Sequence, residues 1–344
     1  MLKDKKEPTK LSDLGEFALI EYLTKNIKLK NKSSKYGVGD DAAVVRTSKT
    51  QVVTTDILTE GIHFDFTYTP AKHLGYKAAV VNFSDIYAMN AMPKQMLVSI
   101  AVSSKISLEL INDFYEGLYL ACERYGVDVV GGDTTSSLTG MTISITVIGE
   151  ANAKDIVYRN GAKETDIICV TGDLGGAYMG LQLLEREKKV FEEVGAQPDF
   201  AGKDYVLERF LKPEARQDTI KLLQEIGVKP TSMIDISDGL ASEMHHICKQ
   251  SGVGCKIYIG KIPIDYVTAE VADSLNMEPL IPALNGGEDY ELLFTISVND
   301  FEKIKKYPQI KVIGHIMDKD QGLNLITEDD NFIELKAQGW DNLE

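Results

Sequence analysis

The sequence predicts a mixed α/β (α+β) protein of two domains, and three observations support this. The chain has 344 residues, and a domain usually contains about 150. Short apolar runs typical of strands alternate with longer segments that have helical periodicity. After the strand predicted at Met141–Gly149, a new series starts with a strand at Asp166–Thr171. We therefore predict domains over residues 1–150 and 151–344.

The first half alternates helices and strands. Ser12 has the position of an N-cap, and apolar residues follow it at helical spacing. Ala71–Met89 carries an apolar helical face with Asp85 in phase, and Leu108–Tyr125 is amphipathic and ends before Gly126. Strands are predicted at Ala42–Val45, Gln51–Thr55 (ending at Asp56), Leu97–Val102, Val127–Val130 (leading into Gly131, Gly132 and Asp133) and Met141–Gly149.

The second half repeats this alternation. Helical periodicity covers Ala177–Arg186, Tyr205–Ile226 with an interruption at Pro213, and Leu240–Gln250. Residues 189–205 have the composition of a loop. Strands are predicted at Asp166–Thr171, Ser232–Ile236, Cys255–Ile259 and Tyr290–Ile296.

Charge and hydropathy exclude several classes of function. The 37 basic and 52 acidic residues give a net charge of −15, which repels nucleic acids and anionic membranes. No apolar stretch approaches the ~20 residues that span a bilayer, and the amino terminus has no apolar signal core. The four scattered cysteines are typical of buried, reduced thiols. We expect a cytoplasmic protein without a nucleic-acid or membrane partner.

Acidic residues occupy positions where water solvates them poorly. They lie at predicted strand ends, in glycine turns or on an apolar helix face, and a buried carboxylate is costly without a cation. Few basic residues are near in sequence, and carboxylate oxygens suit Mg²⁺ or Mn²⁺. Glycines beside the acids let a phosphate approach backbone N–H groups. The pattern indicates a phosphate site with several magnesium ions, although any single Asp could instead cap its own turn. These residues are Asp40, Asp41, Asp56, Asp85, Asp133, Asp235 and Asp238.

Familiar phosphate-binding loops are absent from the sequence. It contains neither G-x-x-x-x-G-K-[ST] nor H-R-D with D-F-G, which argues against a P-loop enzyme and an ordinary protein kinase. Gly172, Gly175 and Gly176 follow a predicted strand, but their spacing differs from the dinucleotide fingerprint. We interpret this segment as a tight turn from strand to helix.

Seven short motifs in this order closely resemble the thiamine-monophosphate kinase family, from about residue 14 to the carboxyl terminus. That family belongs to the ATP-dependent superfamily that includes aminoimidazole ribonucleotide synthetase and selenophosphate synthetase. Phe83 is a mild departure, since the family often has an aliphatic residue there. The motifs are Gly37-Val-Gly-Asp-Asp41-Ala, Thr54-Thr-Asp56 with Glu60-Gly-Ile-His63-Phe, Asn82-Phe-Ser-Asp85-Ile, Gly131-Gly-Asp-Thr-Thr135, Arg159-Asn-Gly-Ala-Lys163, Ile234-Asp-Ile-Ser-Asp-Gly239-Leu and Gly286-Gly-Glu-Asp-Tyr-Glu291-Leu.

The resemblance implies phosphoryl transfer from ATP to thiamine monophosphate, the last step of thiamine diphosphate biosynthesis. The acceptor is a phosphate monoester with a second pKa of about 6, so it is already a dianion near neutral pH and needs no general base. Repulsion between the two polyanions is the obstacle, and metal ions neutralise it. We expect direct transfer without catalytic side chains beyond the metal ligands. The family's fold implies two α/β domains, the first of which binds ATP and Mg²⁺ and pairs its strands across a homodimer.

Residue roles carry over from the family motifs in three groups. The resemblance assigns several Mg²⁺ ions to Asp40, Asp41, Thr54, Thr55, Asp56, Asp85, Asp133, Asp235 and Asp238. It assigns ATP contacts to Tyr115, Gly132, Asp133, Arg159 and Ser237, and thiamine monophosphate contacts to His63, Glu288 and Trp340. An indole stacks well on an aminopyrimidine and attracts a cationic thiazolium. A carboxylate such as Glu288 can accept from the exocyclic amine. His63 could instead be a satisfied strand-end histidine, and Arg159 a salt-bridge partner at the domain junction.

Other functions remain as alternatives. Another ATP-dependent synthetase of the superfamily would use a different acceptor. Selenophosphate synthetase needs a reactive residue in an amino-terminal glycine loop, whereas the first cysteine here is Cys122 in a predicted helix. The hydrogenase-maturation relative ends in cysteine, and this chain ends in Glu344. A nucleotide-binding protein without turnover and a metal-dependent phosphatase are the remaining classes. ADP release that depends on thiamine monophosphate distinguishes the kinase from all of them.

Overall fold

The computed structural model describes residues 16–38 and 42–337. The chain divides into two compact units, residues 1–86 with 92–152 and residues 87–91 with 153–344. Each unit combines a sheet with helices, which confirms the predicted α/β (α+β) class. No helix in the described ranges is long and apolar enough to cross a membrane. All four cysteines are buried and free, as predicted.

The first unit contains a four-stranded sheet in the order β3-β6-β4-β5. All neighbours are antiparallel except β4 and β5, which are parallel. A short antiparallel pair, β1 and β2, lies outside this sheet. The elements are α1 (Glu16–Thr24), β1 (Ser34–Tyr36), β2 (Val44–Val45), β3 (Thr50–Thr59), α2 (Ala71–Ala88), β4 (Met92–Ser103), α3 (Leu108–Tyr125), β5 (Asp128–Ser137) and β6 (Met141–Ala151).

Helices α2 and α3 pack closely because glycines remove side chains at their crossing. A Cβ at Gly75 would overlap the carbonyl oxygen of Phe114, and one at Gly117 would overlap that of Lys72. Helix α3 has the bounds that the sequence predicts. Ser107 caps its first turn by accepting from the Leu110 N–H, and Gly126 ends it in the left-handed conformation.

Two acids that the sequence places at strand ends lie inside strands. β3 continues beyond Asp56 to Thr59, and β5 continues beyond Asp133 to Ser137. The expectation is wrong because ladder hydrogen bonds extend both strands. β3 pairs with β6 along its whole length, and β5 pairs with β4 as far as Ser137. Such pairing depends on residues distant in sequence.

The second unit contains a seven-stranded sheet in the order β13-β12-β9-β11-β7-β10-β8. Only β12 and β9 are parallel. Helix α4 extends to Val194, into the segment predicted as loop, and ends at Gly195 in the left-handed conformation. The elements are β7 (Ile167–Thr171), α4 (Gly176–Val194), α5 (Asp204–Leu211), α6 (Gln217–Glu225), β8 (Ser232–Asp235), α7 (Leu240–Ser251), β9 (Gly254–Tyr258), α8 (Tyr266–Ser274), α9 (Leu280–Asn285), β10 (Leu292–Ile296), α10 (Phe301–Ile304), β11 (Ile310–Met317), β12 (Leu323–Ile326) and β13 (Phe332–Glu334).

Candidate functional site

Two carboxylates of the first unit, Asp56 and Asp85, lie where strand β3 is hydrogen-bonded to helix α2. Thr54 and Asp56 are two residues apart in the strand and therefore lie on the same face. Asn82 and Asp85 are three apart in the helix and also share a face. The Thr54 hydroxyl donates to Asp85 Oδ2 at 2.5 Å, and the Asp56 N–H donates to Asn82 Oδ1 at 3.1 Å. The Asn82-x-x-Asp85 motif thus fastens the helix to the strand beside Asp56.

The electrostatics of this pair favour a cation. Burial, and then the charge of Asp85, raise the pKa of Asp56 from 3.8 to about 6. Carboxylate and hydroxyl oxygens are hard ligands of the kind that Mg²⁺ takes. Within the described ranges no group of three or more His, Cys, Asp or Glu residues converges on one point. The described geometry therefore supplies two carboxylates for a cation, with Thr54 beside them.

Thr55 lies apart from this pair. Successive strand residues point to opposite faces of a sheet, so the side chain of Thr55 is on the face opposite Asp56. Its hydroxyl donates to the carbonyl oxygen of Ile145 at 3.1 Å and is 3.0 Å from the Thr146 hydroxyl. The structure does not bring the Thr55 side chain to the carboxylates.

Gly132 and Asp133 lie on the edge strand β5. A Cβ at Gly132 would overlap the carbonyl oxygen of Val98, so only glycine fits there. The pairing of β4 with β5 has a bulge just before this point, between Met96 and Leu97, and bulges often redirect side chains at functional sites. Asp133 is exposed. This edge can present backbone groups and a carboxylate to a ligand.

Tyr115 and His63 are the other two predicted ligand contacts in the first unit. The Tyr115 ring is largely buried against Tyr119, and burial raises the pKa of its hydroxyl to about 12. His63 Nδ1 accepts from the Thr59 N–H at 3.1 Å. A ring nitrogen that accepts carries no proton, so the neutral ring has its proton on Nε2. Nε2 of His63 is therefore a hydrogen-bond donor in the neutral side chain.

In the second unit, the end of β8 and the loop after it carry three of the predicted residues. Asp235 is buried at the end of the strand, whereas Ser237 and Asp238 are exposed. The side chain of Glu243, on helix α7, is hydrogen-bonded to this loop. Its Oε1 accepts from the N–H groups of Ser237 and Asp238 at 3.2 and 2.8 Å, and lies 3.3 Å from the Ser237 hydroxyl. Glu243 is not among the predicted site residues, although its place in the first turn of a helix after a glycine is typical of residues that reach back to backbone N–H groups.

Glu288 is bound to the same loop. Its N–H donates to the Ser237 carbonyl at 2.7 Å, and the Tyr290 N–H donates to that of Ile236 at 2.9 Å. Glu288 and Tyr290 both have positive φ values, 57° and 51°, which side-chain-bearing residues adopt only under constraint. The structure therefore brings Glu288, Ser237 and Asp238 together on adjacent loops.

Arg159 is exposed in the second unit and forms no ion pair with a described residue. The segment after it is fixed by Ser251, the last residue of α7, whose hydroxyl accepts from the N–H groups of Gly161 and Ala162 at 3.1 and 3.2 Å. The salt bridge considered for Arg159 is absent from the described part of the chain. Its guanidinium is available for a phosphate.

Three predicted site residues fall outside the described residues. Asp40 and Asp41 belong to the segment 39–41, and Trp340 belongs to 338–344. Their predicted roles, as metal ligands and as a substrate contact, remain predictions.

The glycine turn at 172–176 has a protein carboxylate as its partner. Asp289 accepts from the Gly175 N–H at 2.8 Å and the Ala177 N–H at 3.4 Å, at the start of α4. This occupies the N–H groups that a ligand phosphate would use. The structure thus agrees with a tight turn from strand to helix.

A buried ionic network under the Glu288 loop was not visible in the sequence. Glu291 is fully buried and pairs with Arg209 at 2.7 Å and with Arg216. Arg209 also reaches Asp289 at 3.3 Å. The two arginines lie about 80 residues before their partners, and no local sequence pattern reports such a separation. The network fixes the start of β10 and the loop that precedes it.

Glu243 leads to a prediction about stability. It is 1% exposed, and burial, with the charges of Asp238 and Asp235, raises its pKa from 4.5 to about 8. The folded state therefore holds a proton that the unfolded state releases above pH 4.5. Stability should fall as pH rises towards 8, by roughly 1 kcal/mol per pH unit. Glu243→Gln mimics the protonated acid and should lose this slope in urea unfolding at pH 5.5 and 7.5. Equal slopes in the two proteins would contradict a buried, protonated Glu243.

Known proteins are similar to this chain in sequence and in fold. Residues 39–151 match the family model of the AIR synthase related protein, N-terminal domain. The chain is 33% identical over 338 residues to the thiamine-monophosphate kinase of Bacillus subtilis (strain 168), covering 96% of this chain and 99% of the relative.

Solved structures share the fold. "AaThiL complexed with AMPPCP and TMP" has a TM-score of 0.74 at 32% identity and covers 97% of this chain and 99% of its own. The hydrogenase maturation protein HypE also has a TM-score of 0.74, but at 18% identity, with 94% and 98% covered. The similarity to HypE concerns the fold alone. The similarities to the Bacillus subtilis kinase and to AaThiL also extend to the sequence, over nearly the whole length of the chain. The chain belongs to the thiamine-monophosphate kinase family.

Proposed function

We propose that this protein transfers the γ-phosphoryl group of ATP to thiamine monophosphate, giving thiamine diphosphate and ADP. A phosphate oxygen of the acceptor forms the new bond to phosphorus, and the bond to the β–γ bridging oxygen of ATP breaks. The observation that carries the proposal is the Asp56–Asp85 pair, in the unit that matches the family model. The relative solved with AMPPCP, an ATP analogue, and TMP supports both substrates.

The donor set fits Mg²⁺. Asp56 and Asp85 offer only acceptor oxygens when ionised, and burial, together with the charge of Asp85, raises the pKa of Asp56. We assign them as ligands with Thr54 beside them, and assign Asp133, Asp235, Asp238, Asp40 and Asp41 to further ions as the family motifs imply. Bound Mg²⁺ would neutralise phosphate charge and align the reacting groups.

The remaining residues position the substrates. The exposed guanidinium of Arg159 suits a nucleotide phosphate, and Gly132, Ser237 and Tyr115 are the other nucleotide contacts that the motifs imply. His63 can donate from Nε2, and Glu288 can accept from an amine. With Trp340, these residues would bind thiamine monophosphate.

The direct test is a coupled ADP-release assay with ATP, Mg²⁺ and thiamine monophosphate. Thiamine and no acceptor serve as controls. We expect turnover only with the monophosphate. Turnover with none of the three, in a folded protein loaded with magnesium, would favour a superfamily relative with another acceptor. Phosphate release without ATP would favour a phosphatase.

We also propose that the protein is a homodimer that pairs the first units. Strand β3 is an edge strand, bonded to β6 alone among the described residues, and its outward residues Val53 and Ile57 are 61% and 58% exposed. An exposed apolar edge strand offers unpaired backbone groups and an apolar surface to which another chain can bind.

Ile57→Asp should convert the dimer to a monomer in light scattering coupled to gel filtration, because a charge would be buried without a partner. Val298→Asp, at a similarly exposed position in the second unit, is the matched control and should leave the mass unchanged. A monomeric wild-type protein, or an Ile57→Asp dimer, would refute pairing through β3.

A further inference from the structure

A pocket of about 580 Å³ in the first unit takes no part in the proposed transfer. It is lined by residues 30–33 before β1, by residues 46–49 between β2 and β3, and by residues of β4 and β6. Its volume is within the range of about 300–1,000 Å³ that small-molecule sites have. We call it the basic pocket, and its charged lining is Lys30, Lys32, Arg46, Lys49, Lys94 and Glu150.

The charge of the basic pocket is opposite to that of the protein. Its lining includes five basic residues and one acidic residue, in a chain whose net charge is −15. None of the five forms an ion pair with a residue in 16–38 or 42–337. Cations gathered in a concave surface repel one another, and an anion bound between them removes that repulsion.

The backbone behind the basic pocket is fixed. The buried carboxylate of Asp128 accepts from the N–H groups of Lys30 and Asn31 at 2.7 and 2.8 Å and from the Ser34 hydroxyl at 2.7 Å. The Asn31 side chain donates to the Lys94 carbonyl at 2.9 Å. These bonds attach the loop to β4 and β5, so its backbone keeps its place without a ligand. Such preorganisation lowers the entropy cost of binding.

We propose that the basic pocket binds a small ligand with two or more linked phosphate groups. Several phosphate charges are needed to match five cations, and the size of the pocket and the overall negative charge of the chain favour a small molecule over a nucleic acid. The pocket is distinct from the carboxylate site. Lys49 directly precedes β3, and Asp56 lies six residues after its first residue, about 20 Å along an extended strand.

The test is calorimetric titration of the full-length chain with inorganic pyrophosphate in EDTA. Metal-dependent binding of phosphates near Asp56 is then eliminated, so the result does not depend on the kinase proposal. Lys32→Gln/Arg46→Gln should weaken binding at least tenfold, because both side chains are exposed and their loss removes charge without disturbing the core. Asp56→Asn should bind as wild type does. So should Lys311→Gln/Lys319→Gln, which removes two exposed charges from the second unit.

Further titrations identify the class of ligand. Orthophosphate should bind more weakly than pyrophosphate, and added salt should weaken both. ADP and thiamine diphosphate, titrated in the same buffer, show which ester the pocket prefers. If either binds more tightly than pyrophosphate, and the Lys32→Gln/Arg46→Gln variant loses that binding, the proposal is supported. Equal pyrophosphate binding by wild type and double variant would overturn it, as would no binding by wild type. Binding of a single-stranded RNA but not of pyrophosphate would also overturn it.

Discussion

Asp56→Asn should lower kcat for ADP formation by about a thousandfold, while the protein remains folded. A carboxylate that helps to hold a cation supplies several kcal/mol of charge stabilisation, and about 4 kcal/mol corresponds to that factor. The amide has nearly the same shape, and the backbone N–H of residue 56 still donates to Asn82. The loss should therefore come from chemistry and not from unfolding.

The Asp56→Asn substitution should not lower the thermal stability of the protein. Asp56 is in electrostatic contact with Asp85, and both burial and that charge raise its pKa. Removing one of two like charges relieves repulsion in the metal-free protein, so the melting temperature should be unchanged or higher. Residues selected for activity often reduce stability in this way.

Asp113→Asn is the matched control. Asp113 is an exposed acid on helix α3 in the same unit, and its replacement should leave both kcat and the melting temperature unchanged. Both variants are compared in the coupled ADP-release assay at saturating magnesium. Wild-type turnover by folded Asp56→Asn protein would rule out the carboxylate pair as a metal site.

Glu291→Gln should have the largest effect on stability, lowering the free energy of unfolding by about 3–5 kcal/mol. Burial alone would raise the pKa of Glu291, but the charges of Arg209 and Arg216, with the hydrogen bonds from Arg216 and Thr171, outweigh it and lower the pKa. Neutralising Glu291 leaves two largely buried guanidinium groups short of an anion. Urea unfolding at pH 7 measures the loss.

The stability that Glu291 contributes should also depend on pH. A carboxylate with a lowered pKa contributes stability above its unfolded pKa of 4.5, and loses it as pH falls through the folded value. Wild type should therefore lose more stability than Glu291→Gln between pH 5 and pH 3. The exposed pair Lys72–Glu116, 49% and 53% exposed, provides the comparison. Glu116→Gln should change stability by about 1 kcal/mol or less. Similar losses from the two substitutions would refute a stabilising role for the buried network.

Local patterns predicted some of these features and missed others. The bounds of α3 follow from its amphipathic period and Gly126, and the Asn82-x-x-Asp85 spacing places both side chains on one helical face. Thr55 was grouped with Asp56 because they share a motif, whereas strand geometry separates their side chains. The Arg209–Glu291 pair spans 82 residues. Contacts over such distances follow from tertiary packing, which a single sequence does not reveal.

The path of the chain between the two units limits how this protein could have been assembled in evolution. Residues 87–91, at the end of α2, belong to the second unit although the residues on either side belong to the first. There the Tyr87 hydroxyl accepts from the Gln217 side chain at 2.6 Å, and the Asn90 side chain donates to the Asp155 carbonyl at 2.7 Å. A recombination joint at residue 152 would replace Gln217, whose side chain makes the first of these bonds, but would keep its partner Tyr87. The two units are therefore expected to be inherited together, and chimaeras between distant relatives should be repaired by matching residues 87–91 to the incoming second half.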